Sequence, residues 1–401
     1  MPSRLRALAA IVRRPVRDDT RAHLARTRAA LPAALRTARQ MLGRQGNGCG
    51  ATIGAMPRCD FACRGCYLGG EANRIPAEPV EAIMRQMELL RPVLGHAGNL
   101  QLTDGEITLR PDDEVIALLR HARALDLVPM LMTHGDSFRR RPGLLERYMR
   151  DGGLVEVSIH VDTTQRGRRG ARWREARTEA ALNPLRDEFA DMVRAARTAT
   201  GLPLRPATTM TVTRENLAGV PDVVAWLVRN ADAFRMISFQ PIAQVGRTEA
   251  GLGGGVGVED LWAAIARGVY GDDAAGRARL ARGQKWLGHH ACNRFVHGLV
   301  AVRDGEAPAF HPVREDGDAI DARVVDGFLR RFGGISFRLD GPAERAARLL
   351  GVLANAPLFA LRNVGPYAWH WPRRLDPARP LRAARDLASG RLRVHGLALV
   401  S

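Results

Sequence analysis

The sequence holds a single lysine. Of its 60 basic residues only Lys285 is not arginine, aromatics make up 5% of the chain, and five cysteines are spread over 401 residues. No apolar run reaches the ~18–20 residues that cross a bilayer as a helix. Each shortage excludes something. An odd handful of cysteines in a long chain does not build a small disulfide scaffold. Scarce aromatics leave little for base stacking along a nucleic-acid strand. Arginine almost without lysine, amid much alanine and glycine, reads as the codon bias of a GC-rich genome as much as a selected patch. The net charge of +18 therefore does not by itself mark a nucleic-acid binder. What is present is ordinary globular composition, 46% hydrophobic and 25% charged. The length fits one large α/β domain plus a smaller partner.

Residues 1–48 carry eleven arginines against Asp18 and Asp19. The apolar stretch Leu5–Val12 is short and runs into Arg13-Arg14, not into a small-residue cleavage site, which reads against a signal peptide. A second helix is predicted from near Thr20, with Leu24, Leu31, Leu35, Ala38 and Leu42 on one face. Two readings follow: a helical prefix packed on the catalytic domain, or a basic amphipathic arm on an anionic membrane. The expected setting is the cytoplasm, at the inner membrane face if the arm binds lipid.

The informative segment runs from Pro57 to Tyr67. Cys59, Cys63 and Cys66 are spaced C-x3-C-x2-C. Three thiolates on one short loop suit three corners of a cubane iron–sulfur cluster and leave its fourth iron open. The alternative is a structural zinc site, which needs four ligands, usually from two separated pairs. Cys49 is the available fourth, and no second C-x2-C pair exists.

A C-x3-C-x2-C loop directly after a first strand, here Ala51–Met56, resembles the signature of the radical S-adenosylmethionine (SAM) superfamily. The resemblance implies a 4Fe–4S cluster held by Cys59, Cys63 and Cys66, whose open iron chelates SAM. It implies reductive cleavage of SAM and hydrogen abstraction by the 5′-deoxyadenosyl radical. An electron donor such as flavodoxin or ferredoxin is implied as well. The residue before the last cysteine, commonly aromatic in that family, is Gly65 here; Tyr67 is the aromatic candidate for cofactor contact.

The strand Asn99–Thr103 ends in Asp104-Gly105-Glu106, which resembles the superfamily's Gly-Gly-Glu-Pro motif. The likeness puts Asp104, Gly105 and Glu106 at SAM, with the Glu106 carboxylate toward its ammonium. A strand over 127–132 ends at Thr133-His134-Gly135, similar to the family's Thr-Asn-Gly turn and adding Thr133. Ser158 and His160 alternate along a fourth strand, and Gln240 ends a sixth; all three are SAM-contact candidates. Helices over 78–91, 113–124, 143–150, 184–200 and 221–230 separate the strands. The implied fold is a partial (β/α)6 TIM-like barrel with a helical N-terminal prefix and a small α+β C-terminal region. The Arg-rich stretch Thr163–Asn183 exceeds an ordinary loop and is expected to be a mobile lid or substrate loop.

The expected domains are the arm over 1–48, the barrel over 49–250, and a substrate or capping region over 251–401. That last region holds His289, His290 and Cys292, a small set of potential ligands, and an aromatic stretch from Gly365 to Arg374. With Ser238-Phe239-Gln240-Pro241 and Gly288–Arg294, the chain looks like an uncharacterised branch similar to the tetraether lipid synthases. That likeness implies C–C bond formation or a related modification of a lipid. A radical SAM maturase of a peptide or natural product is the rival within the class. A zinc-containing nucleic-acid-binding protein is the rival outside it.

Overall fold

A computed structural model describes residues 2–15, 50–95, 97–287, 294–332 and 342–401, with residues 22, 26, 29–30, 32–33 and 40–41 between them. The chain divides into two compact units, one of residues 50–92, 99–281 and 395–401, the other of residues 1–49, 93–98 and 282–394.

In the first unit, strands alternate with helices: β1 Ala51–Met56, α1 Val80–Leu94, β2 Gly98–Asp104, α2 Asp112–Ala124, β3 Leu127–Thr133, α3 Leu144–Gly152, β4 Glu156–His160, α4 Asn183–Thr200, β5 Arg205–Val212, α5 Val220–Arg229, β6 Met236–Pro241 and α6 Val258–Tyr270. Strand β3 is a near-continuous apolar run, as a strand covered on both faces is. In β3, Leu127, Val128 and Leu131 are buried completely. The helices bury one face each; α4 sinks Leu185, Phe189 and Val193 and stops at Gly201, whose left-handed φ of 66° lets its N–H close on Arg197.

Strands β1 to β6 neighbour one another in order, and the pairs β1–β2, β3–β4, β4–β5 and β5–β6 are parallel. The result is of the expected α/β class; against the expected partial (β/α)6 barrel, the mostly parallel sheet is not closed into a barrel. One pairing went unforeseen. The C-terminal strand Leu392–Val400 lies parallel to β6, with Leu399 opposite Ile237. Its alternation is visible locally, whereas its partner lies more than 150 residues away by chain order.

The second unit is α+β. An antiparallel set joins β7 Lys285–Leu287, β8 Arg294–Arg303 and β9 Ala309–Pro312. Helices α7 Ala319–Phe332, α8 Pro342–Asn355, α9 Pro357–Leu375 and α10 Pro380–Ala388 follow. The N-terminal helix Pro2–Arg13 packs on α8. Asn355 Nδ2 donates to Val12 O at 3.1 Å, and a Cβ on Gly351 would sit 3.0 Å from the Ile11 carbonyl. Of the predicted second helix from near Thr20, residues 22, 26 and 29–30 are described and are helical, and the rest lies outside the described residues, as do Cys49, His289, His290 and Cys292.

Candidate active site

The cysteine loop leaves β1 at Met56 and is held by backbone on two sides. Gly105 N donates to Met56 O at 2.6 Å and Glu106 N to Arg58 O at 2.8 Å. Beyond the loop's first cysteine, Ala62 N donates to Arg166 O at 2.8 Å and Arg64 N to Thr164 O at 2.9 Å. A third segment straps the end of the loop: Arg247 N reaches Leu68 O and Glu249 N reaches Arg64 O, both at 2.8 Å. Arg64, between two of the cysteines, pairs with Glu215 at 2.5 Å and Glu249 at 2.6 Å. The stretch Thr163–Asn183 is thus no free lid. Its first residues form the bed on which the cysteine loop lies, because the loop's own backbone donors need partners.

All three thiols are free and half-buried. Burial pushes the Cys59 and Cys63 thiols up to about 12, and each feels the charge of its neighbouring cysteine. Phe61 N–H points at Cys59 Sγ at 3.3 Å. Thiols this desolvated stay protonated at neutral pH unless a cation offsets the burial, which is what iron does to a coordinating thiol. The donor set therefore suits an iron–sulfur cluster. Cys59, Asp60 and His134 also bring ligand atoms within 4.8 Å of one another, but the His134 ring nitrogen is already bonded to Asp60 at 2.8 Å.

At the end of β2, three residues do different work. Asp104 stands at φ 87°, a left-handed conformation that favours glycine. Its carboxylate covers Gly54 of β1, where a Cβ would come within 1.8 Å of Asp104 Oδ2. Gly54 and Asp104 have thus exchanged side-chain space at a bulge in the β1–β2 ladder. Desolvation raises the Asp104 carboxyl above its ordinary value. We expect Gly54→Ala to cost about 1–3 kcal/mol through overpacking. In Gly54→Ala/Asp104→Gly most of that returns, because the clash and the strained φ both go. Chemical denaturation of the two single variants and the double variant measures the coupling; additivity would refute the exchange.

Gly105 faces the cysteine loop: a Cβ there would meet Arg58 O at 2.1 Å and Pro57 O at 2.7 Å. Glu106 is fully buried. Its Oε1 accepts from Thr108 Oγ1 at 2.6 Å and Thr133 Oγ1 at 2.7 Å, and its Oε2 from His134 N at 2.9 Å. The carboxylate ties the ends of β2 and β3 together, and His134 stacks on Phe61 of the cysteine loop, ring centroids 3.8 Å apart. Glu106 thereby fixes the loop's inner side.

Farther along the sheet, Ser158 is buried and shares a hydrogen bond with Thr209 at 3.0 Å. His160 is partly open; its Nε2 bonds Asp162 and sits 3.3 Å from Thr211 Oγ1. Asp162 is buried, which raises its pKa, but the His160 ring and the donors of Thr164 and Thr211 outweigh that and hold it below the ordinary carboxylate range. Tyr67 donates to Asp104 O at 3.3 Å, and Gln240 lies exposed on β6 in register with Thr211. The structure groups Tyr67, Asp104, Gly105, Glu106 and Thr133 around the cysteine loop. It groups Ser158 and His160 along β4 and β5.

Sequence reasoning did not assign roles to Asp60, His134, Asp162 or Arg168. Arg168 is buried under the loop: it donates to His134 O at 2.9 Å and to Asp136 at 2.8 Å, and lies 5.1 Å from the Phe61 ring. Asp60, inside the cysteine spacing, His134, in the Thr-His-Gly turn, and Asp162, alternating with Ser158 and His160, carried a local signal.

Residues 53–227 match the family model described as the radical SAM superfamily. No curated protein matches the chain. Among solved structures, SuiB of Streptococcus suis is similar at 13% identity and a TM-score of 0.35, over 52% of this chain and 42% of that one. A tagged anSMEcpe with bound AdoMet is similar at 15% identity and a TM-score of 0.35, over 54% of this chain and 55% of that one. A xylose isomerase-like TIM barrel protein of Mycobacterium smegmatis in complex with magnesium gives 13% identity and a TM-score of 0.32, over 77% and 97%. The match spans about half the length of the first two structures.

Proposed function

We propose that the chain, whose residues 53–227 match the radical SAM family model, is a radical SAM enzyme, that Cys59, Cys63 and Cys66 hold its 4Fe–4S cluster, and that it abstracts hydrogen from an unactivated C–H bond of its substrate. When bound and reduced, the cluster supplies the electron that splits SAM to the 5′-deoxyadenosyl radical. The chain's own residues place and shield. The observation that carries this reading is the bonding of the cysteine loop to the end of β2 at Met56–Arg58. Gly105 gives the close approach, and Asp104, Tyr67 and Thr133 form the adjoining edge for SAM. Glu106 positions that edge through Thr133 and His134. Ser158, His160 and Gln240 extend the same edge toward the SAM nucleoside. A low-potential donor such as flavodoxin or ferredoxin in the cytoplasm supplies the electron. Anaerobic reconstitution tests the reading: a brown protein should form 5′-deoxyadenosine from SAM under reduction. A colourless, zinc-loaded protein without turnover would favour the nucleic-acid-binding rival.

For the substrate, a lipid is favoured over a peptide by an observation in the second unit. Helices α8 and α9 leave Leu349, Leu350, Leu353, Leu358, Leu361 and Val364 exposed. Arg345 and Arg362 beside them are exposed too. Open leucines with arginines suit an anionic bilayer surface. No helix among the described residues is long and apolar enough to cross a membrane, so the contact is peripheral. We expect co-sedimentation with phosphatidylglycerol vesicles. Leu358→Asp/Leu361→Asp should weaken it at least ~10-fold, since burying each leucine contributes about 1.5–3 kcal/mol. No binding by the unaltered protein would remove the lipid reading and leave the peptide or natural-product maturase.

A further inference from the structure

A second constellation of ligand-type side chains lies in the C-terminal unit, among residues 315–374. Asp318 caps the start of α7; its Oδ1 accepts from Ile320 N at 2.8 Å and Asp321 N at 3.0 Å. Asp321, in the first turn of α7, has no exposed surface. Its Oδ2 is fully engaged, taking Glu315 N at 2.9 Å and Arg374 Nη2 at 2.6 Å. Its Oδ1, equally buried, has no hydrogen-bond partner, and neither does Nε2 of the buried His370. These two orphaned atoms face each other at 3.4 Å, and the same Nε2 lies 3.6 Å from Asp318 Oδ2.

Leaving a buried acceptor and a buried ring nitrogen both unpaired costs about 1–3 kcal/mol each. The spacing indicates what satisfies them. Carboxylate oxygens and imidazole nitrogens sit about 2.0–2.2 Å from zinc, so two ligands at a tetrahedral corner are about 3.4 Å apart. The observed separations of 3.4 and 3.6 Å match that spacing, and all the ligand atoms lie within 4.8 Å of one another. From this we infer that Asp318, Asp321 and His370 form a site for one divalent zinc-type ion, independent of the cysteine loop. Three protein ligands leave one tetrahedral position to water or an incoming ligand.

The surroundings are built accordingly. His370 and Arg374 lie one turn apart on α9, so both side chains reach the start of α7 from one face. Arg374 bonds Asp321 Oδ2 at 2.6 Å and Asp318 Oδ2 at 3.1 Å, fixing both carboxylates and turning Asp321 Oδ1 toward the ring. Tyr367 stacks on His370, ring centroids 6.1 Å apart, and holds its plane. Outer partners of this kind orient metal ligands. The aromatic stretch noted in the sequence thus has a task besides packing.

The test uses the full chain with its iron cluster loaded, so that zinc has no access to the cysteines. After chelator treatment it is equilibrated with Zn2+, and zinc and iron are counted by mass spectrometry. One zinc per chain is expected. His370→Ala and Asp321→Asn should each weaken zinc binding about 100-fold or more and leave iron unchanged. Zinc retained equally by both variants, or no zinc on the unaltered protein, overturns the site and leaves a histidine–carboxylate contact. Should the variants misfold, the unaltered protein decides: Zn2+ must raise its Tm in a chelator-reversible way. An unchanged Tm refutes the inference.

Discussion

Cys63→Ala protein, reconstituted with iron and sulfide without oxygen, is expected to hold little cluster and to form 5′-deoxyadenosine from SAM only at background. On the proposed ligand set, the change removes one of the three thiolate corners of the cluster. The flanking backbone bonds of Ala62 and Arg64 do not involve the sulfur, so the fold should persist. Circular dichroism and a Tm near that of the unaltered protein check this. The protonation of the free thiols adds a pH dependence. Burial pushes both Cys59 and Cys63 up to about 12. Loading must expel those protons, so iron uptake should weaken as the pH is lowered. Full iron content in Cys63→Ala would refute the ligand assignment.

Gly105→Ala should have the second largest effect, although it touches no cysteine. The added methyl would lie 2.1 Å from Arg58 O and 2.7 Å from Pro57 O, both backbone atoms that no rotamer change can move. Relief requires the start of the cysteine loop to shift and the bond from Gly105 N to Met56 O to stretch. We expect about 1–3 kcal/mol of lost stability. Cluster retention and SAM turnover should fall with it, because ligand geometry tolerates little displacement. Gly396→Ala is the control: Gly396 is exposed in the C-terminal strand with nothing within 4 Å, so stability and iron should change little. Unaltered iron and Tm in Gly105→Ala would show that the strand end does not set the loop.

The alternation of strands and helices was legible because its signals are local. Apolar runs such as Leu127–Thr133 and amphipathic stretches such as Asn183–Thr200 give period and length within one window. The cysteine spacing and the Asp-Gly-Glu end of β2 were legible for the same reason. Asp104 in a glycine's place looked like a departure from the family pattern. Gly54 explains it, since the space that Asp104 needs is vacated by the strand beside it.

What stayed hidden depends on partners distant in sequence. Arg168 looked like one more charge in a long basic loop, yet it is buried where three carbonyl and carboxylate groups meet it. The C-terminal strand finds β6 only in three dimensions. Asp318, Asp321 and His370 carry no spacing motif, because α7 and α9 bring them together only when they pack.

The sequence by itself determined the pattern on which the proposed chemistry rests: three thiols within eight residues, on a loop after a strand, and the order of elements around them. Spacing along the chain is enough for that, since neighbours in sequence are held at fixed distances by covalent geometry. The tertiary structure decided which groups are charged, buried or still seeking a partner. Those properties belong to the surroundings of each side chain, and in a parallel sheet the surroundings are assembled from segments that the sequence keeps far apart.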